Sequence, residues 1–91
     1  MLRYDIKISG SVQGIGYRYF VADEAKQFDI TGWVRNLDTG DVEISAEGTK
    51  DNLENFISVV KSQHRSAHID NIEIEKSDIE KRAYSNFTIT F

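Results

Sequence analysis

"YDIKISGSVQGIGYRYFVADEAKQF", residues 4 to 28, changes its period half-way along. Before the change, Ile6, Ile8, Gly10 and Val12 alternate with Asp5, Lys7, Ser9 and Ser11, the two-residue repeat of a strand with one buried face. After it, Tyr17, Phe20, Val21, Ala25 and Phe28 fall at helical spacing. Between the two lies a glycine-rich turn, with Arg18 just inside the start of the helix. The stretch therefore reads as a strand that feeds a helix through a tight loop, the first half of a β-α-β unit.

The rest of the chain completes the unit and repeats it. Residues 30 to 36 read as a second strand, with Val34 opposite in phase to Trp33 and Arg35. Asp38-Thr39-Gly40 is a turn, after which Val42, Ile44 and Ala46 alternate with Asp41, Glu43, Ser45 and Glu47, so the pair forms a hairpin. Thr49 is placed to cap a second helix, 50 to 62, with an apolar stripe of Leu53, Phe56, Ile57 and Val60. Ile72 and Ile74 alternate with Glu73 and Glu75 in a fourth strand, and Phe87, Ile89 and Phe91 with Thr88 and Thr90 in a short fifth.

The order β-α-β-β-α-β plus a last strand is the split βαβ, or ferredoxin-like, α+β arrangement, with both helices on one face of an antiparallel sheet. The first helix is then a crossover, and strands one and two run parallel on either side of strand three. Their C-terminal ends share one end of the sheet. The loop 11–17 and Arg18 should therefore face the same region as Arg35 and Asn36.

Composition narrows the function. Ninety-one residues, 40% hydrophobic and 29% charged, make one globular domain over residues 1–91. Cysteine is absent, so no disulfide framework and no thiolate metal site form. Met1 to Lys7 hold no apolar run of signal-peptide type, and nothing approaches transmembrane length, so a cytoplasmic location is expected. The net charge of −4 argues against nucleic acid or an anionic membrane as partner. It leaves room for one small cationic pocket.

Such a pocket is what the loop offers. Gly14 and Gly16 permit positive φ and can turn successive N–H groups inward, a concave nest that binds anions. The nest leads into a helix N-terminus, with further free N–H groups and partial positive charge. Arg18 adds a planar fork of donors that keeps its proton. Without an anion, an arginine there opposes the helix dipole by a few tenths of a kcal/mol. The phosphate ligands expected are the loop residues Gln13, Gly14, Ile15, Gly16 and Tyr17, with Arg18. A Walker loop would need Gly-Lys-Ser/Thr where Gly16-Tyr17-Arg18 stands, and a dinucleotide fingerprint would need a glycine at Tyr19. Asn36 has an amide able both to donate to and to accept from a water.

Two segments, "GSVQGIGYR" at 10 to 18 and "GWVRNLDTGDVEISAEG" at 32 to 48, resemble the signature segments of the acylphosphatase family. The likeness runs over essentially the whole chain. Ile15 and Tyr17 stand where valine and phenylalanine are usual, and residues 62–67 lack the Gly-Pro that many members carry. The resemblance implies a single acylphosphatase-like domain that hydrolyses the carboxyl-phosphate bond of acyl phosphates. It implies Arg18 as the phosphate-binding residue and Asn36 as the group that positions the attacking water. A small-molecule acyl phosphate is then the substrate and inorganic phosphate the product. No cofactor is expected, because no Asp, Glu, His or Cys cluster accompanies the two motifs. A monomer is expected, because the small domain needs no partner to make the site.

The chemistry asks for little more. The leaving carboxylate has a conjugate acid of pKa about 4 and needs no proton at pH 7. Phosphoryl transfer runs largely on positioning and charge stabilisation. His64 and His68 are four apart, but Arg65 occupies the place of the glutamate in the His-Glu-x-x-His zinc motif. They are expected as exposed loop histidines, with no metal. Glu43, Glu47, Glu73 and Glu75 are expected on a solvated sheet face. An RNA-recognition module of the same topology would need aromatics where Asp41, Glu43, Ser45 and Glu47 stand, and acids there repel phosphate. The remaining alternative is a module that senses phosphate without turnover, since acylphosphatase-like domains also occur within larger maturation enzymes. A chain running from methionine to the fifth strand with no linker fits a free-standing enzyme better.

Overall fold

A computed structural model describes residues 1–91. Five strands and two helices follow in the order β1 (Leu2–Ser11), α1 (Tyr17–Gln27), β2 (Thr31–Asn36), β3 (Val42–Gly48), α2 (Lys50–Ser62), β4 (His68–Asp78) and β5 (Phe87–Thr90). The sheet order is β4-β1-β3-β2-β5. This is the expected ferredoxin-like topology, with β3 antiparallel to both β1 and β2.

One expectation needs correcting: the sheet is mixed. β5 pairs with β2 in parallel, Gly32 opposite Phe87 and Val34 opposite Ile89. The reason is the route taken by residues 79–86. β4 finishes beside the start of β1, Asp78 opposite Leu2. The chain then crosses to the far edge at that same end and re-enters the sheet at Phe87. It must therefore run in the direction of β2.

The alternation of β1 explains which face is buried. Tyr4, Ile6 and Ile8 are fully covered, as are their neighbours Val42, Ile44 and Ala46 on β3 and Val34 on β2. Onto this face α1 contributes Tyr17, Val21, Ala22 and Ala25, and α2 contributes Leu53, Phe56, Ile57 and Val60. The Tyr17 hydroxyl donates to the Val60 carbonyl at 2.6 Å and ties the two helices together. Burial pushes the pKa of that hydroxyl up. Thr49 caps α2 as expected, its Oγ1 accepting from the Asn52 N–H at 3.2 Å, a bond worth about 1 kcal/mol.

A second correction concerns Glu47. Its alternation with core residues suggested a solvated position, yet it is fully buried. Residues 79–86 pass over its end of the open face. One carboxylate oxygen accepts from the N–H groups of Ala83 at 2.8 Å and Tyr84 at 3.2 Å. The other accepts from Arg3 through Nη2 at 2.6 Å and Nε at 3.0 Å. Arg82 donates to the carbonyls of Glu47 and Asp29 and to the Thr31 hydroxyl, and the Trp33 indole donates to the Tyr84 hydroxyl. The other three glutamates lie where expected: Glu43 pairs with Arg35, Glu73 with Lys7, and Glu75 is exposed.

Candidate active site

The site lies at the opposite end of the sheet, where β1 and β2 finish. Gly14 and Gly16 both adopt left-handed φ, +78° and +75°. Gly16 caps α1 without any side-chain hydrogen bond, and no acidic residue stands in the first turn. The first helical bond there is from the Phe20 N–H to the Gly16 carbonyl at 3.1 Å. The N–H groups of Tyr17, Arg18 and Tyr19 thus have no intrahelical carbonyl to meet. Nothing in the protein's own capping supplies a negative charge at this helix end.

A small cavity of about 70 Å³ opens there, lined by Val12, Gly14, Gly16, Tyr17, Arg18, Tyr19 and Asn36. Two segments some twenty residues apart in sequence therefore meet, as the parallel course of β1 and β2 requires. Asn36 is the last residue of β2, and its Oδ1 is buried with no hydrogen-bond partner. A buried amide oxygen without a partner is uncommon, because its desolvation goes uncompensated. Arg18 is half-buried, its Nη1 3.3 Å from the Thr90 carbonyl and its Cζ 4.6 Å from the centre of the Phe91 ring.

The other loop residues named from sequence divide. The side chain of Gln13 turns away from the cavity: its Nε2 donates to the carbonyls of Leu37 and Asp41, each at 2.9 Å. It fastens the loop to the hairpin that follows Asn36 and so fixes the spacing between the two segments. Ile15 points its side chain at the core. Tyr17 does the same more completely, so each leaves only main-chain groups for a ligand. Tyr19, Thr90 and Phe91 were missed as neighbours of the site. The signal for Phe91 was available, since it continues the inward alternation of Phe87 and Ile89.

The histidines do not converge. His64 is half-buried, not exposed: its Nδ1 accepts from the N–H groups of Ser66 and Ala67, both at 3.1 Å, and its ring meets Tyr17 and Phe20 edge-on. His68 is exposed but opens β4 instead of lying in a loop, and its Nε2 pairs with Asp70 at 3.0 Å. No group of three or more His, Cys, Asp or Glu residues is arranged to hold a metal ion. No helix is long and apolar enough to cross a membrane.

The family model for acylphosphatase matches residues 4–89. The chain belongs to the acylphosphatase family. An acylphosphatase from Methanospirillum hungatei is 44% identical over 90 residues, 98% of this chain and 97% of that protein. One from Bacillus licheniformis is 38% identical over 91 residues, the full length of both. The crystal structure of acylphosphatase from Bacillus subtilis superposes with a TM-score of 0.93 at 39% identity, covering all of both chains. Family and fold together support hydrolysis of the acylphosphatase type.

Proposed function

We propose that the chain hydrolyses the carboxyl-phosphate bond of acyl phosphates to a carboxylate and inorganic phosphate. The loop 11–17 and Arg18 hold the phosphoryl group, and Asn36 positions the water. The observation that carries this reading is the meeting of the left-handed glycines, Arg18 and the unpartnered Asn36 Oδ1 in one cavity. A cavity of that size suits a phosphoryl group and a water, and leaves the acyl group outside.

Each residue then has a task suited to its chemistry. The N–H groups from Gly14 to Tyr19 and the free edge of the Arg18 guanidinium donate to the phosphoryl oxygens, whose charge spreads in the transition state. Gln13 acts through the hydrogen bonds its amide donates to the hairpin and Ile15 through its anchor in the core, with main-chain groups facing the ligand. The Asn36 oxygen accepts from the water and directs its lone pair at phosphorus. The water–phosphorus bond forms as the phosphorus–acyl oxygen bond breaks. The carboxylate leaves unprotonated. The water's surplus proton passes to a phosphoryl oxygen.

Variants at the two named residues separate the roles. Arg18→Lys keeps the charge and loses the planar fork, so both kcat and phosphate affinity fall. Asn36→Ala nearly preserves the competitive Ki of inorganic phosphate while kcat drops about 100-fold or more. Activity survives exhaustive chelation. A folded Asn36→Ala enzyme with near-normal kcat would remove the asparagine from the mechanism. No release of phosphate from acetyl phosphate by the wild-type chain would leave only anion binding.

A further inference from the structure

Arg18 has two neighbours that lie in neither signature segment, and both come from the end of β5. The Thr90 carbonyl accepts from its Nη1, and the Phe91 ring lies 4.6 Å below its Cζ. Phe87 is buried and Ile89 packs against the core on the face turned toward the helices. Phe91 is the next residue of that alternation, just beyond the last paired residue of the strand. It is 88% exposed, so burial gives it little reason to be aromatic. Its ring has a cationic partner instead.

We propose that Phe91 is a positioning residue for Arg18: its ring, with the Thr90 carbonyl, fixes the plane of the guanidinium before an anion arrives. The inference rests on the reading of Arg18 as the phosphate ligand. The geometry suits that task. A guanidinium has five N–H donors, all in its plane. The carbonyl takes one at an edge, and the ring covers a face that carries none. The other donors stay free. An aromatic face attracts the cation through its quadrupole. The arginine is thereby restrained, and phosphate meets a side chain with less freedom left to lose.

The test uses the full chain and variants Phe91→Leu and Phe91→Trp. Inorganic phosphate affinity is measured by calorimetric titration, and kcat and KM with acetyl phosphate. Leucine keeps apolar bulk and removes the π face, so phosphate Kd and KM rise about two- to fivefold while kcat changes less. Tryptophan, the stronger π face, restores both to wild-type values or better. Melting temperatures in phosphate-free buffer stay together, because the side chain is exposed. Unchanged phosphate affinity in Phe91→Leu overturns the proposal, and so does an equal loss in the leucine and tryptophan variants. Phosphate affinity is read without turnover, so absence of hydrolysis would sink the proposed reaction and leave this result interpretable.

Discussion

At the end of the sheet where β1 begins, Glu47 is fully buried and both of its oxygens are engaged, by Arg3 and by the N–H groups of residues 83 and 84. At the end where β1 finishes, the Asn36 oxygen is buried with nothing to accept from, beside N–H groups of α1 that lack carbonyls. The same fold thus treats buried polar atoms in two ways. Where the chain only needs to close, every polar group finds an internal partner. At the proposed binding end such partners are withheld, which is what a site that takes a ligand requires. A glycine cap in place of serine or aspartate is the same choice made at the helix end, since a capping side chain would occupy the N–H groups from within.

The largest effect expected from this contrast is at the satisfied end. Glu47→Ala leaves Arg3 and the N–H groups of Ala83 and Tyr84, in the strap formed by residues 79–86, without their acceptor. Arg3 keeps 32% of its side chain open to solvent, so the cost falls below the roughly 3–5 kcal/mol of a fully buried pair. Two unmet N–H groups, at about 1–3 kcal/mol each, still make it a large part of the stability of a small domain. Urea denaturation should show the loss, while kcat per folded molecule stays at the wild-type value. A loss below about 1 kcal/mol would mean that the strap holds without its carboxylate, and the contrast between the two ends would fail.

At the proposed binding end the cost of substitution falls on the backbone. A Cβ added at Gly16 meets nothing within 4 Å, so Gly16→Ala is not blocked by a clash. The strain of holding φ at +75° remains, about 1–2 kcal/mol for a residue with a side chain. Added phosphate should then stabilise the variant less than it does the wild type, because a loop relaxed from left-handed φ no longer turns its N–H groups inward. Equal stabilisation of the two by phosphate, read from melting curves, would remove the nest from the anion site.

Asn36→Ala should leave stability unchanged or raise it by about 1 kcal/mol, since the oxygen it removes is desolvated without compensation. The residue loses an oxygen that had no partner to lose. Paired with the large fall in kcat expected of the same variant, this would locate the asparagine's value in the reaction alone.

Much of this was legible in the sequence, for a physical reason. Core positions repeat with the period of their element, so Ile6, Ile8, Val21, Phe56 and Ile57 declare strand and helix before any contact is known. The candidate site was legible because left-handed glycines and an uncapped helix start leave a residue signature, and because topology brings Asn36 and Arg18 to one cavity. Glu47 was not. Its burial depends on residues 79–86, which have no period, and on Arg3, 44 residues away. The parallel pairing of β5 was hidden for the same reason, since the route of that strap sets its direction. His64 looked free because its partners are main-chain N–H groups and ring edges, which no spacing rule encodes.

The smallest expected effect belongs to a pair near the start of β1, on the face covered by the helices. Tyr4 on β1 donates its hydroxyl to Glu54 on α2, and Lys76 on β4 stands 3.6 Å from the same carboxylate. Burial, then the bond to Glu54, pushes the Tyr4 pKa up to about 12. The bond from Tyr4, and then Lys76, holds the Glu54 carboxyl below its usual range. The two shifts act at opposite limits of pH. The raised tyrosine contributes stability that is complete below its unfolded value of about 10 and fades as pH rises toward 12. The lowered glutamate contributes stability that is present above its unfolded value of about 4.3 and fades as pH falls through the folded one. Glu54 is half exposed, with 50% of its side chain open to solvent, so solvent screens the acid limb and that effect is small. Tyr17 is also pushed up by burial, so the wild-type alkaline limb mixes two tyrosines. The clean measurement is therefore the difference between wild type and Tyr4→Phe in urea midpoints, taken from pH 3 to 5 and from pH 9 to 12. The difference should be flat between pH 6 and 9 and shrink at both extremes. A difference that stays constant across the whole range would mean that the Tyr4 hydroxyl contributes packing alone, and that its bond to Glu54 carries no charge.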